Sequence, residues 1–309
     1  MEMDKQKKDE IALALRQYME ANNLSQEEVA TRAGINVSYV NSIHQGKHSV
    51  GKTMIKDCYY ASLAEMTGTP LENTCWEHVD TEQYECMMEE LLDAKARGFN
   101  KMIIGETGSG KTYSIDRFVR KYPAFTYRIT VSSDHTLKNM LNELGECMGV
   151  RYGGDKVYKI RQISSKMRLY KASGKKPVII IDEGENLKLP QLRSVKSLYD
   201  ALQGYCPIVL IGTDQLLNKI EKLRGKNEDG MPQLYRRFKA GKREIRGINK
   251  ETMFAPFLAK IEDKNLRRIL INLADNYGEL NDYMEPALRE AGHHGEPLTE
   301  NFFRMLYKI

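Results

Sequence analysis

Long apolar runs are missing from this 309-residue sequence: the longest, such as the VIII of Val178 to Ile181, are far too short to cross a bilayer. The first ten residues, MEMDKQKKDE, have no apolar core of the kind a signal peptide needs. Cysteine is scarce and scattered (Cys58, Cys75, Cys86, Cys147, Cys206), with no CxxC pair and no histidine spaced to complete a zinc site. Internal repeats and low-complexity segments do not stand out either. These gaps argue against a membrane span, a disulfide framework and a zinc module. They lead us to expect a soluble, cytoplasmic protein with idle thiols and no membrane partner.

What is present looks globular, with 41% hydrophobic and 29% charged residues, and the length suits two or three domains. The net charge of +5 is unevenly spread. Up to Asp80 there are eight basic residues against twelve acidic ones, so this part is net −4 and the remainder +9. Any attraction for the phosphates of a nucleic acid therefore lies mostly behind the first 80 residues.

Periodicity organises the chain. Ile11, Leu15, Tyr18 and Met19 share one helical face, Ser25 and Glu28 form a capping box, Gly34 supplies a turn, and Val37 to Gln45 forms the next helix. A further helix is expected through Met54, Ile55, Cys58, Tyr59 and Leu63. This front bundle, residues 1–67, reads as a helix-turn-helix domain of the λ-repressor type. A linker follows over 68–80, in which Trp76 is expected to dock on what comes next. From Thr81, which caps a helix reaching Arg97, the texture changes to short β-rich runs (KMII, FTYRITV, VIII, PIVLIG, KREIRGI) alternating with helices. That alternation predicts an α/β core over 81–249 with a parallel sheet. Residues 250–309 read as a small helical lid of three or four helices, punctuated by Pro256, Gly278, Pro286 and Pro297.

The segment GETGSGKT, Gly105 to Thr112, follows the KMII strand and matches a P-loop in full. Backbone N–H groups of Gly105, Glu106, Thr107, Gly108, Ser109 and Gly110 would wrap the phosphates of a nucleotide, Lys111 would reach the β- and γ-phosphates, and Thr112 would ligate Mg²⁺. PVIIIDE delivers Asp182 to the end of an apolar strand, where it can hold the Mg²⁺ shell, and sets Glu183 beside it as a base for water. Alone, the two acids fit a solvated strand end equally; with the P-loop they favour nucleotide hydrolysis. Thr213, after PIVLIG, is a candidate to contact the γ-phosphate or the attacking water, or else a plain helix cap. The basic run QLYRRFKAGKREIRGINK offers an arginine to a neighbour's γ-phosphate, or else a solvated basic face.

Two surfaces are candidates for DNA. The reading helix presents Ser38, Tyr39, Asn41, Ser42, His44 and Gln45, polar but without an arginine to grip guanine, while Lys47, His48 and Lys52 at its end are expected to touch the DNA backbone. A second segment carries Lys156, Lys159, Arg161, Lys166 and Arg168 at helical spacing, with Ile160, Ile163, Met167 and Leu169 expected to face inwards. An ordinary solvated helix face explains the same spacing.

In this order of parts the rear of the chain resembles the AAA+ ATPases, and with the repressor-like front it is similar to the MuB-type transposition ATPases, related to TnsC and IstB. HVDT before the P-loop domain, VIIIDEGENL and LYRRFK carry the resemblance. It implies a strand order 5-1-4-3-2, ATP and Mg²⁺ as cofactors, ATP-dependent self-assembly into filaments on double-stranded DNA, and Arg237 acting in trans. It further implies target-DNA selection and delivery to a DDE transposase, in a bacterial or phage-infected cell. Where such lids carry a sensor arginine after Gly-x-Leu, this sequence has Gly278-Glu279-Leu280-Asn281, and Arg289 is the nearest replacement. Two other readings stay open: a transcriptional regulator with a nucleotide-controlled oligomerisation switch, and a DnaC-like helicase loader.

Overall fold

The computed structural model describes residues 3, 5–22, 24–51, 53–69, 78–149 and 153–309. The chain divides into two compact units, one of residues 1–74 with 120–124, the other of 75–119 with 125–309. The expected docking of Trp76 and the contact expected of Lys52 fall outside the described residues.

In the first unit, α1 (Lys5–Asn22) buries Ile11, Leu15 and Met19 against Val29, Val40, Ile43, Tyr60 and Leu63. Helix α2 (Gln26–Ala33) starts on the anticipated box: the Glu28 N–H donates to Ser25 Oγ at 3.2 Å and the Ser25 N–H to Glu28 Oε2 at 2.9 Å. Such a cap contributes about 0.5–2 kcal/mol. Gly34 turns the chain at φ +66°, a conformation that disfavours any residue with a Cβ, and α3 (Val37–His44) follows, capped by Asn36. Met54 does not begin a helix. It is exposed in a hairpin of β1 (Ser49–Val50) and β2 (Thr53–Met54), and α4 (Asp57–Thr67) starts only after Lys56.

The second unit opens with α5 (Glu82–Arg97), capped by Thr81. Then follow β3 (Lys101–Ile104), α6 (Lys111–Lys121), β4 (Thr126–Thr130), α7 (Leu137–Cys147), α8 (Lys156–Ala172), β5 (Val178–Asp182), α9 (Leu189–Leu202), β6 (Ile208–Gly212), α10 (Asp214–Gly225), α11 (Met231–Lys239) and β7 (Lys242–Glu244). The five strands are all parallel in the order β4-β5-β6-β3-β7, which, numbering them first to fifth along this unit, is the expected 5-1-4-3-2 read from the other edge. Strands β3, β5 and β6 are buried along their whole length, as a parallel sheet covered on both faces requires. Ile104, Leu144, Ile163, Ile181, Leu198, Leu210 and Phe238 share its core, each worth about 1.5–3 kcal/mol when removed from water.

Five helices complete the unit: the single turns α12 (Lys250–Met253) and α13 (Ala255–Leu258), then α14 (Lys264–Leu273), α15 (Tyr277–His294) and α16 (Glu300–Tyr307). They enclose their own core of Phe254, Leu266, Leu270, Leu280, Met284 and Phe303. Pro286 does not punctuate here; it lies inside α15 on an exposed position.

Candidate nucleotide site and nucleic-acid surfaces

A parallel sheet gathers chemistry at the carboxyl ends of its strands, and there the chain leaves β3 into the P-loop. Gly108 and Gly110 adopt φ +75° and +81°, which glycine tolerates and other residues resist. Lys111, half-buried at the start of α6, donates to the carbonyl oxygens of Gly105 (2.9 Å) and Glu106 (2.7 Å), leaving one N–H for a ligand. Burial lowers its pKa, while Glu185, Asp182, Asp214 and Glu106 act to raise it. Of the remaining loop residues, Glu106 and Thr107 are exposed, and buried Ser109 bonds back to the Glu106 carbonyl at 2.8 Å.

Asp182 ends β5, only 1% exposed, with Oδ2 3.4 Å from Thr112 Oγ1. Two hard oxygen donors side by side suit Mg²⁺, so the residues present fit the metal that the sequence implies. The same Oδ2 accepts from Arg128 of β4 at 2.8 Å, and Arg128 also pairs with Asp116. Glu183 follows in a left-handed conformation, φ +53° and ψ +44°, a strain of about 1–3 kcal/mol of the sort that collects at functional sites. Its carboxylate accepts from Asn186 Nδ2 at 3.1 Å, and Asn186 is itself tied to the Val131 carbonyl at 2.8 Å. Glu183 is thereby oriented while staying exposed.

Thr213 precedes α10 but its side chain makes no capping bond; its buried Oγ1 has no hydrogen-bond partner among the described residues. Thr213 is thus the N-cap of α10 by position, without a capping bond from its side chain. The Thr213 N–H donates to Glu185 Oε2 at 3.2 Å.

The lid brings a residue to this site that the sequence reading did not single out. A Cβ placed on Gly108 would fall 2.2 Å from Cγ of Asn276, the N-cap of α15, so the lid begins directly on the P-loop. Tyr277 beside it is buried and donates from its hydroxyl to Gln83 Oε1 at 2.9 Å. Arg289, the replacement considered for a sensor arginine, instead contacts Glu285 one turn away in α15. On the other flank, Tyr113 directly after Thr112 bonds to His78 at 2.9 Å, and Tyr84 meets the His78 ring edge-on at 4.6 Å. Burial, then the charge of Arg117, holds the His78 pKa down against Asp80.

Arg237, the arginine expected to act in trans, is half-buried within its own chain. It pairs with Asp200 of its own chain and lies 5.2 Å over the Tyr199 ring, whereas Arg236, one residue earlier on α11, is exposed. The physical reason is the helix itself, which turns successive side chains about 100° apart and so sends the two arginines different ways.

The nucleic-acid candidates also separate. Ser38 and Asn41 are exposed on α3, while Tyr39 is half-buried and stacked on Tyr59 at 4.8 Å. His48 is occupied by Tyr60 (2.7 Å) and Asp9 (2.9 Å). On α8, Arg161 is exposed and Lys156 half-buried, its pKa lowered by burial and by nearby Arg193 and Lys196. Lys159 and Lys166 turn inward: Lys159 is 4% exposed and donates to Asn142 Oδ1 at 2.6 Å, and Lys166 bonds to the Met148 carbonyl. Leu169, expected inside, is exposed. Charge on this helix is therefore carried outward by fewer residues than its composition implies.

The family model described as an AAA domain matches residues 97–220, and one described as a helix-turn-helix domain matches residues 10–73. With the observed five-stranded parallel sheet these show an AAA domain in the chain, preceded by a helix-turn-helix domain. Among solved structures it is similar to the ORC2 protein of Aeropyrum pernix in ADPNP–ADP complexes, at 15% identity and TM-score 0.52 over 78% of this chain and 70% of that one. It is also similar to CDC6P of Pyrobaculum aerophilum, at 14% identity and TM-score 0.55 over 76% and 67%. The ORC1 protein of A. pernix, solved in complex with DNA, matches at 16% identity and TM-score 0.55 over 74% of this chain and 65% of that one. At these identities the likeness is one of fold, and the chain spans about two thirds of those proteins' lengths. No curated protein matches in sequence.

Proposed function

We propose that the protein is an ATP-dependent, largely sequence-tolerant DNA-binding ATPase that assembles with ATP into filaments on duplex DNA, selects target DNA for transposition and delivers it to a DDE transposase. The domain limits in this reading are 1–67 for the reader, 68–80 for a linker, 81–249 for the ATPase core and 250–309 for the lid. The observation that carries it is the charge division: net −4 up to Asp80 and +9 beyond, with no arginine on the reading helix. Sequence-tolerant attraction to phosphates thus belongs to the ATPase and not to the reader.

At the nucleotide site, ATP supplies the phosphoryl group, and Thr112 and Asp182 would hold Mg²⁺ against its phosphates. Lys111 meets β- and γ-phosphate charge with its remaining N–H. Glu183, oriented by Asn186, takes the proton of the attacking water, and Thr213 Oγ1 is an unused hydroxyl suited to that water or the γ-phosphate. Tyr113 and His78 form an aromatic flank suited to the base. An arginine of α11 acts in trans on a neighbour's γ-phosphate; Arg236 reaches out unassisted, and Arg237 does so after leaving Asp200. Ser38, Tyr39 and Asn41 serve as accessory DNA contacts, and Lys156 and Arg161 as backbone contacts.

The test is negative-stain imaging with random-sequence duplex, with and without ATP and Mg²⁺. Filaments that need ATP support the reading. Binding confined to one operator, without assembly, would sink it and favour the transcriptional-regulator alternative.

A further inference from the structure

The opposite end of the sheet, where the strands begin, contains a pocket of about 110 Å³ between the end of α5, the segment before β5 and the turn before β6. Its lining includes Lys95, Arg97, Lys171 and Lys176 and not one carboxylate. Tyr205, Cys206 and Pro207 close it from the other side. Lys95 Nζ donates to Thr126 Oγ1 and to the Lys176 carbonyl, each at 3.0 Å, and is fixed at the wall. Lys171 and Lys176 are exposed at the mouth and make no ion pair with described residues, while Arg97 is shared with Asp93 at 3.1 Å.

We propose that this pocket is a second anion site, which takes a backbone phosphate of a nucleic acid at the end of the ATPase core remote from the P-loop. The proposal rests on the DNA-binding reading above and locates part of that binding. Three observations carry it. Lys171 and Lys176, at the mouth of a pocket lined by no carboxylate, have no ion-pair partner among the described residues, and an anion seated there completes their field. Burial pushes the Lys95 ammonium down to about 8, so an anion beside it restores a charge that the protein disfavours. The pocket also continues into a row on α8: Arg161, Arg168 and Lys171, spaced by seven and three residues, fall on one helical face, and the Arg168 guanidinium lies over the pocket's Tyr205 ring, 4.8 Å from its centroid. That row spans about 15 Å, long enough for consecutive backbone phosphates and longer than any free phosphate needs.

Lysine labelling tests this on the full-length protein. At pH 8, acetic anhydride modification of Lys95 is followed by mass spectrometry with no addition, with inorganic phosphate, and with random-sequence duplex in the presence of ATP and Mg²⁺. In parallel, duplex affinity and its salt dependence are measured for K171E/K176E, with a thermal melt to certify its fold. The expected result is protection of Lys95 by duplex, at least ~10-fold weaker duplex binding by the variant, and a salt slope lower by about two. Protection by inorganic phosphate but not by duplex overturns the nucleic-acid assignment and leaves a free-anion site. Duplex binding that is unchanged in a folded variant, with Lys95 labelled as before, overturns the pocket alone. Absence of duplex binding by the unaltered protein overturns the DNA reading and this proposal with it.

Discussion

The two ends of the parallel sheet each hold a half-buried lysine whose charge burial opposes, and they differ in what surrounds it. At the carboxyl ends, Lys111 lies among Glu185, Asp182, Asp214 and Glu106, which counter the desolvation. At the amino ends, Lys95 sits in a pocket lined by cations and no acid. A cation among carboxylates suits a site proposed to hold a polyanionic nucleotide together with a metal, where the acids would hold the metal and serve as base. A cation among cations suits simple retention of an anion. Sequence composition does not separate the two lysines; their neighbours do.

The largest predicted effect breaks the first end. Replacing Lys111 by Ala should abolish both ATP hydrolysis and ATP-dependent assembly on DNA, as read by phosphate release and by sedimentation with duplex. Next comes the Glu183→Gln variant, which should lower turnover by roughly 10²–10⁴-fold while ATP binding persists, trapping the assembled state. Unchanged turnover in that variant would refute its role as base. A smaller effect concerns the lid. Gly108→Ala places a Cβ at φ +75° and 2.2 Å from Asn276 Cγ, which should cost more than ~1 kcal/mol and lower the melting temperature by about 2–4 °C. Adding Asn276→Ala should recover part of that loss because the collision goes while the backbone strain stays; strictly additive losses would show that the lid does not rest on the P-loop.

The smallest effect sharpens the second end through pH. The Lys95 ammonium titrates at about 8 in the folded chain and near the ordinary 10.5 when unfolded. Between those values the unfolded chain binds more protons, so this group makes stability rise with pH across that window. Below it the charged form is disfavoured by burial. Denaturant midpoints of the parent protein should therefore gain on those of Lys95→Met between pH 8 and pH 10, and parallel curves would remove Lys95 from the account.

Much of this was legible in the linear sequence, for a physical reason. The P-loop, the Asp182–Glu183 pair and the strand-helix alternation are set by contiguous residues, and the capping box of Ser25 and Glu28 spans a single turn. What stayed hidden depends on residues brought together from afar. Arg128 reaches Asp182 across 54 positions, Asn186 anchors Glu183 through Val131, and Asn276 meets Gly108 only because the lid folds over. Periodicity failed where a helix carries more cations than it can turn to solvent. Lys159 and Lys166 found inward partners in Asn142 and Met148, while Leu169 was left outside. The hairpin at Ser49–Met54 was missed because two-residue strands leave no alternation to read.

The central claim is that ATP binding at the P-loop switches on sequence-tolerant DNA assembly by the ATPase, with the reader as an accessory. Imaging the Glu183→Gln variant on random-sequence duplex tests it most directly. The account predicts continuous filaments with ATP and Mg²⁺ and bare DNA without them. Isolated particles at one sequence, equally present with and without nucleotide, would contradict it.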